Sequence, residues 1–173
     1  FHKASLSHDD IEDDDDLRYG LPTLHREYGM PAALNTGDLL VGEGYRLLTG
    51  IEAPSEERAA MLRVAAEGHR MLCLGQGQEL DWMREPAPLS VEETINLFRR
   101  KTAPAFNVAI LLGAICGHAD LSVRELLRRF GESLGIAYQV RDDLQDFAAA
   151  RNGSDAARAR PSLLMALIYE ASG

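Results

Sequence analysis

The chain has 173 residues, 46% apolar and 26% charged, enough for one soluble globular domain with a core of its own. Its 27 acids against 18 bases leave a net charge of −9, which excludes a general nucleic-acid binder, since such proteins present basic surface. No apolar run reaches the ~18 residues of a membrane span and no signal peptide is visible, so a cytoplasmic protein is expected.

Ala, Leu, Arg and Glu dominate the composition, and all are good helix formers. Phe1 to Asp14 reads as the end of a helix, with Phe1, Ala4, Ser5, His8 and Ile11 at helical spacing. Arg18 to Thr23 reads as a loop, punctuated by Gly20 and Pro22. Leu24 to Tyr28 is a short helical turn closed by Gly29, and Pro31 to Leu48 is a helix. Gly37, Gly42 and Gly44 interrupt that helix and point to close packing or a nearby ligand. Ser55 caps a helix running to about Asp81 or Trp82, and Trp82, Met83 and Met71 are expected in the core. Ser90-x-x-Glu93 is a capping box for a helix from Val91 to about Thr102. Pro104 marks a kink or the start of the next helix, which runs to Cys116. Gly117 to Asp120 is a turn, and Ser122-x-x-Glu125 reads as a second capping box opening a long helix to about Phe147. Asn152 to Asp155 is a polar break, followed by a last helix from Pro161 to Ala171. Cys73 and Cys116 lack metal-finger spacing and are expected to be buried free thiols in a reducing compartment.

Two stretches carry chemistry. Asp9-Asp10-Ile11-Glu12-Asp13 and Asp142-Asp143-Leu144-Gln145-Asp146 both read D-D-x-x-D. Helical positions i and i+4 share a face, so Asp9 with Asp13, and Asp142 with Asp146, can reach one cation. Like charges at that spacing repel, and a hard divalent cation relieves them. Mg²⁺ takes carboxylate and water oxygens and shares its remaining positions with substrate phosphates. The first copy is diluted by Asp14, Asp15 and Asp16, where a solvated acidic face is the plain alternative. The second lies beside the apolar stretch Leu134 to Val140, where surface decoration is a poor explanation.

The surroundings of these motifs resemble a known family. His2 to Asp13 followed by Arg18-Tyr19-Gly20 is similar to the first aspartate-rich region of trans-polyprenyl diphosphate synthases. Asn35-Thr36-Gly37-Asp38, Gly77-Gln78-x-x-Asp81, Lys101-Thr102 and Tyr138-Gln139-x-x-Asp142-Asp143-x-x-Asp146 resemble its later blocks, in the same order. The resemblance implies one domain over residues 1–173: an all-α isoprenoid synthase bundle around a central cavity, with the two aspartate motifs on facing helices near its mouth. It lacks helices that the family has at both ends. It implies an Mg²⁺-dependent prenyltransferase that condenses an allylic diphosphate with isopentenyl diphosphate, and a homodimer. Asp9, Asp13 and Asp142 would ligate Mg²⁺, while Asp10, Asp143 and Asp146 would hold metal-bound water. Arg18, Lys101 and Gln139 would contact the allylic diphosphate, with Gln78 and Asp81 in the same polar wall. Thr102 would lie near the developing cation, so Lys101, Thr102 and Gln139 form the expected catalytic set. Arg151 and Arg160 stand where the family has lysines gripping diphosphate, and Tyr19 stands where it has a second arginine, used for isopentenyl diphosphate. Ala4 and Ser5 take positions that set product length, with Phe1 a turn further down. Small residues there imply a product of C20 or longer. A class I terpene cyclase and a non-catalytic prenyl-synthase-like subunit are the rival readings. A simple acidic helical module is a third, and it would bind no diphosphate with Mg²⁺.

Overall fold

Helix is the rule from the second residue onward. A computed structural model describes residues 1–151 and 160–172, with side chains except at 149–151, and contains eight α-helices and one short hairpin among them. The chain divides into two units, Phe1–Leu62 and Arg63–Gly173. No helix among the described residues is long and apolar enough to cross a membrane.

The first unit holds α1 (His2–Glu12), β1 (Leu17–Arg18), β2 (Leu21–Pro22), α2 (Leu24–Tyr28), α3 (Met30–Thr49) and the start of α4 (Ser55–Arg84). Small residues bring α1 and α3 together. Ala4 and Ala33 are each 1% exposed, and the buried Ser7 hydroxyl donates to the Ala33 carbonyl at 3.1 Å. A Cβ on Gly37 would lie 2.3 Å from the His8 ring, and one on Gly44 would lie 2.6 Å from the Phe1 ring. Gly42 faces open space, so close packing accounts for two of the three α3 glycines. Phe1 also meets Tyr45 edge to face at 4.9 Å. The stretch expected as a loop is a tight hairpin pairing Leu17 with Pro22 and Arg18 with Leu21. Its two turn residues, Tyr19 (φ 55°) and Gly20 (φ 79°), are both left-handed, the arrangement that matches the twist of paired strands.

The second unit holds the rest of α4, then α5 (Val91–Lys101), α6 (Ala103–Cys116), α7 (Leu121–Arg151) and α8 (Leu163–Ser172). Leu97, Phe98, Ala103, Ala114 and Ile115 form its core, with Thr94 fully buried among them. The Ser90 box forms as expected: its hydroxyl accepts from Glu93 N, and the Glu93 carboxylate accepts from Ser90 N at 2.8 Å. The second expected box does not. Asp120 Oδ1 accepts from Val123 N at 2.9 Å and from the Ser122 hydroxyl at 2.7 Å, so α7 is capped two residues earlier. A carboxylate outcompetes a hydroxyl for those N–H groups. Cys73 and Cys116 form no disulfide among the described residues and are exposed, contrary to the burial expected from their apolar neighbours. Trp82, Met83 and Met71 are half-buried rather than core, with the Trp82 indole donating to the Ala87 carbonyl at 2.8 Å. Asn152 to Asp155 lies outside the described residues.

Candidate functional site: two aspartate clusters and a clamped Lys-Thr junction

In the first unit the acidic run is answered by its own chain. Arg18 Nε donates to Asp10 Oδ1 at 2.7 Å, Nη2 reaches the same oxygen, and Asp15 Oδ2 lies 3.5 Å away. Burial would lower the Arg18 pKa; the Asp10 hydrogen bond and the charges of Asp10, Asp15 and Asp9 more than reverse it, so it is raised. Arg26 pairs with Asp14 and Asp16, both at 2.7 Å. The hairpin turn places Arg18 over Asp10, and α2 carries Arg26 to the middle of the run. Asp38 Oδ1 lies 3.4 Å from His8 Nε2. Tyr19 is 78% exposed, with the Lys3 ammonium 5.4 Å from its ring centre.

In the second unit the α5–α6 junction is held from two sides. A Cβ on Gly75 would sit 2.5 Å from the Arg100–Lys101 peptide, so α4 crosses directly on that backbone. A Cβ on Gly135 would sit 2.4 Å from Ala103 Cα, so α7 crosses just past the junction. One helical turn beyond each glycine stands a polar side chain that takes a junction residue. Glu79 on α4 forms an ion pair with Lys101, and Gln139 Oε1 on α7 accepts the Thr102 hydroxyl at 2.6 Å. Lys101 is therefore not part of a solvated basic patch with Arg99 and Arg100. Arg99 turns to Glu132 at 2.7 Å, and Arg100 to Gln78 at 3.2 Å.

Asp142, Asp143 and Asp146 follow Gln139 on α7. Desolvation first, then the charge of Asp142, raises the Asp146 pKa; Asp143 adds to this, and Arg160 and Lys101 oppose it. Asp143 has a structural task, accepting Leu163 N at 2.8 Å and the Ser162 hydroxyl at 3.2 Å to start α8. Gln78 and Asp81 are exposed, and Asp81 pairs with Arg84 at 2.8 Å, about 200° round α4 from Glu79. The structure thus gathers Lys101, Thr102, Gln139 and the second cluster, and directs Gln78 and Asp81 to other partners. The Arg151 side chain lies outside the described residues.

Residues 1–172 match the family model for polyprenyl synthetase. The chain is 34% identical over 145 residues to a geranylfarnesyl diphosphate synthase of Natronomonas pharaonis, covering 84% of this chain and 42% of that one. It is 36% identical over 153 residues to farnesyl diphosphate synthase of Escherichia coli, covering 84% and 50%. The geranylgeranyl pyrophosphate synthetase structure of Geoglobus acetivorans superposes with a TM-score of 0.90 at 29% identity, over 99% of this chain and 55% of that one. A geranyltransferase of Helicobacter pylori complexed with magnesium and isoprenyl diphosphate superposes at 0.83 and 26% identity, over 99% and 61%. The chain belongs to the polyprenyl synthetase family. It spans about half the length of the curated relatives it matches.

The donor chemistry of this polyprenyl synthetase chain suits Mg²⁺. Among the described residues no three His, Cys, Asp or Glu side chains gather closely enough to hold a metal by themselves. Mg²⁺ asks for less, one or two carboxylates with water and phosphate completing its shell. Asp146, whose pKa is raised first by burial and then by the Asp142 charge, forms with Asp142 a carboxylate pair that a cation would relieve. Asp10 is different, since it already carries Arg18. Sequence reasoning missed Glu79, Gly75 and Gly135. Their signal was the repeat of one spacing, a glycine four residues before a polar side chain, on both helices that flank Lys101-Thr102.

Proposed function

We propose that the protein containing this chain transfers prenyl groups head to tail, condensing an allylic diphosphate with isopentenyl diphosphate to give a longer trans-polyprenyl diphosphate. The observation that carries this reading is the clamped junction that sets Lys101, Thr102 and Gln139 beside the second aspartate cluster. Asp9, Asp13, Asp142 and Asp146 hold Mg²⁺, with Asp10 and Asp143 supporting their neighbours through Arg18 and the α8 cap. Bound Mg²⁺ supplies positive charge to the departing diphosphate. Lys101 binds a diphosphate oxygen, and Arg160 adds a second cation at the same cluster. Arg18 is available to diphosphate only by sharing with Asp10, and Arg151 serves as an outer contact. Thr102 donates its hydroxyl hydrogen bond to Gln139 Oε1, which leaves its oxygen lone pairs to face a developing allylic cation; Gln139 keeps two amide donors for diphosphate. An apolar surround shelters that cation from water.

Product length follows from α1. Phe1, Ala4 and His8 face α3, while Ser5 stands one turn before Asp9 on another stripe of the helix. We assign the length-setting position to Ser5, whose small side chain favours C20 or longer; Ala4 and Phe1 set how closely α3 approaches. The whole protein acts as a cytoplasmic homodimer in this reading. The relatives above carry synthase and transferase names, which supports prenyl transfer over cyclisation or a non-catalytic role.

The test is incubation of the whole protein with geranyl diphosphate, with and without isopentenyl diphosphate, in Mg²⁺ and in EDTA, with products weighed by mass spectrometry. Longer diphosphates that need both substrates and Mg²⁺ are expected. Hydrocarbons or alcohols formed without isopentenyl diphosphate would replace this reading with a cyclase, and no turnover by folded whole protein would replace it with the subunit reading.

A further inference from the structure

Glu79 is 4% exposed, inside α4, and the reaction outlined above gives it no task. An ionised carboxylate in such a place is costly unless paired. Glu79 Oε2 accepts no hydrogen bond among the described residues, so its ion pair with Lys101 is what offsets the burial. The Lys101 side chain is itself only 19% exposed. Gly75 fixes the pair's geometry, because α4 rests on the Arg100–Lys101 peptide one turn before Glu79. A buried pair of this kind is often no more stabilising than apolar side chains of the same volume, so position is the better reason for it. Besides Glu79, the Lys101 charge reaches Asp146 on α7.

We propose that Glu79 is a positioning residue for the diphosphate site: it pins the Lys101 ammonium against α4, so the charge meets an allylic diphosphate already in place. The inference rests on the assignment of Lys101 as a diphosphate ligand. A lysine has four rotatable bonds, and an unpinned one gives up that freedom on each binding event.

The experiment is steady-state kinetics of the whole protein with geranyl diphosphate at saturating Mg²⁺ and isopentenyl diphosphate. Glu79→Gln keeps the shape and removes the charge. Its KM for geranyl diphosphate is expected to rise about tenfold, with kcat within about threefold. Glu79→Asp, which keeps the charge, should recover most of that loss. In a Lys101→Met background, Glu79→Gln should change KM no further, because the two act as one unit. If Glu79→Gln does not fold, Glu79→Met with Lys101→Met replaces the pair by apolar volume and should match Lys101→Met alone. A KM for Glu79→Gln that is unchanged or lower overturns the inference, as does an equal rise in the Lys101→Met background. If Lys101→Met itself leaves KM unchanged, the diphosphate assignment of Lys101 fails first and the inference falls with it. A raised KM in Lys101→Met beside a normal one in Glu79→Gln sinks the inference alone.

Discussion

The two D-D-x-x-D motifs share a spelling and differ in electrostatics. The first sits in a run of acids that two arginines partly answer, with Arg18 on Asp10 and Asp15 and Arg26 on Asp14 and Asp16. The second is left partly unanswered, with burial first and then the charges of Asp142 and Asp143 pushing the Asp146 pKa up against the opposing charges of Arg160 and Lys101. The two motifs are thus told apart by the bases around them, not by the acids themselves.

Removing one acid from each motif separates the two most strongly. Asp142→Ala should lower kcat of the whole protein by about 10²–10³-fold, the cost of losing a charge-stabilising group at a transition state. The same change should leave metal-free melting unchanged or slightly higher, because it removes a repulsion from Asp146. Next in size is the clamp around the Lys-Thr junction. Gly135→Ala would drive a Cβ to within 2.4 Å of Ala103 Cα, backbone that cannot swing away. A loss of about 2–3 kcal/mol is expected in chemical denaturation, together with reduced turnover. A fully stable Gly135→Ala would show that α7 does not bear on the junction.

Asp10→Asn tests the first motif and should do the opposite of Asp142→Ala. It strips a buried acid from a third-exposed arginine, so a stability loss of about 1–2 kcal/mol is expected in metal-free buffer after discounting for solvent. A more stable Asp10→Asn would mean the first run is also strained. The smallest effect concerns the helix caps of the second unit. Hydrogen bonds from the Ser90 backbone and side chain hold the Glu93 pKa below its usual value, and the Ser122 hydroxyl and Val123 N–H do the same for Asp120. Depressed folded-state values add stability that is present above the unfolded carboxylate range and lost as pH falls through the lowered values. Glu93→Gln and Asp120→Asn should therefore flatten the acid limb of a melting-temperature profile and change little near neutrality; unaltered acid limbs would show the caps are not formed in solution.

Much of this architecture was legible in residue order. Short-range signals were the most dependable: Ser90-x-x-Glu93 formed its box because both partners lie within one turn, and Gly29 closed α2 at φ 86°. Errors arose where two local signals competed. Ser122-x-x-Glu125 has the letters of a capping box, but Asp120 stands two residues earlier with a stronger acceptor. The cysteines were misjudged because apolar neighbours in a helix do not all face inward. The aspartate motifs could be read from spacing, whereas their difference could not. It depends on which base a hairpin or a crossing helix brings near, as Arg18 is brought to Asp10 and Lys101 to Glu79 and the Asp146 field. Glu79 was hidden because it lies between the motif positions that drew notice, and its burial is a property of the α4–α5 contact rather than of any run of letters.

In the proposed reading the second aspartate cluster is a cation site completed by diphosphate. Titration calorimetry of the whole protein with inorganic diphosphate, in Mg²⁺ and in EDTA, tests it most directly. Binding that needs Mg²⁺ and is lost in a protein carrying both Asp142→Ala and Asp146→Ala is the expected result. Binding of equal strength in EDTA, or in that doubly substituted protein with Mg²⁺, would contradict it.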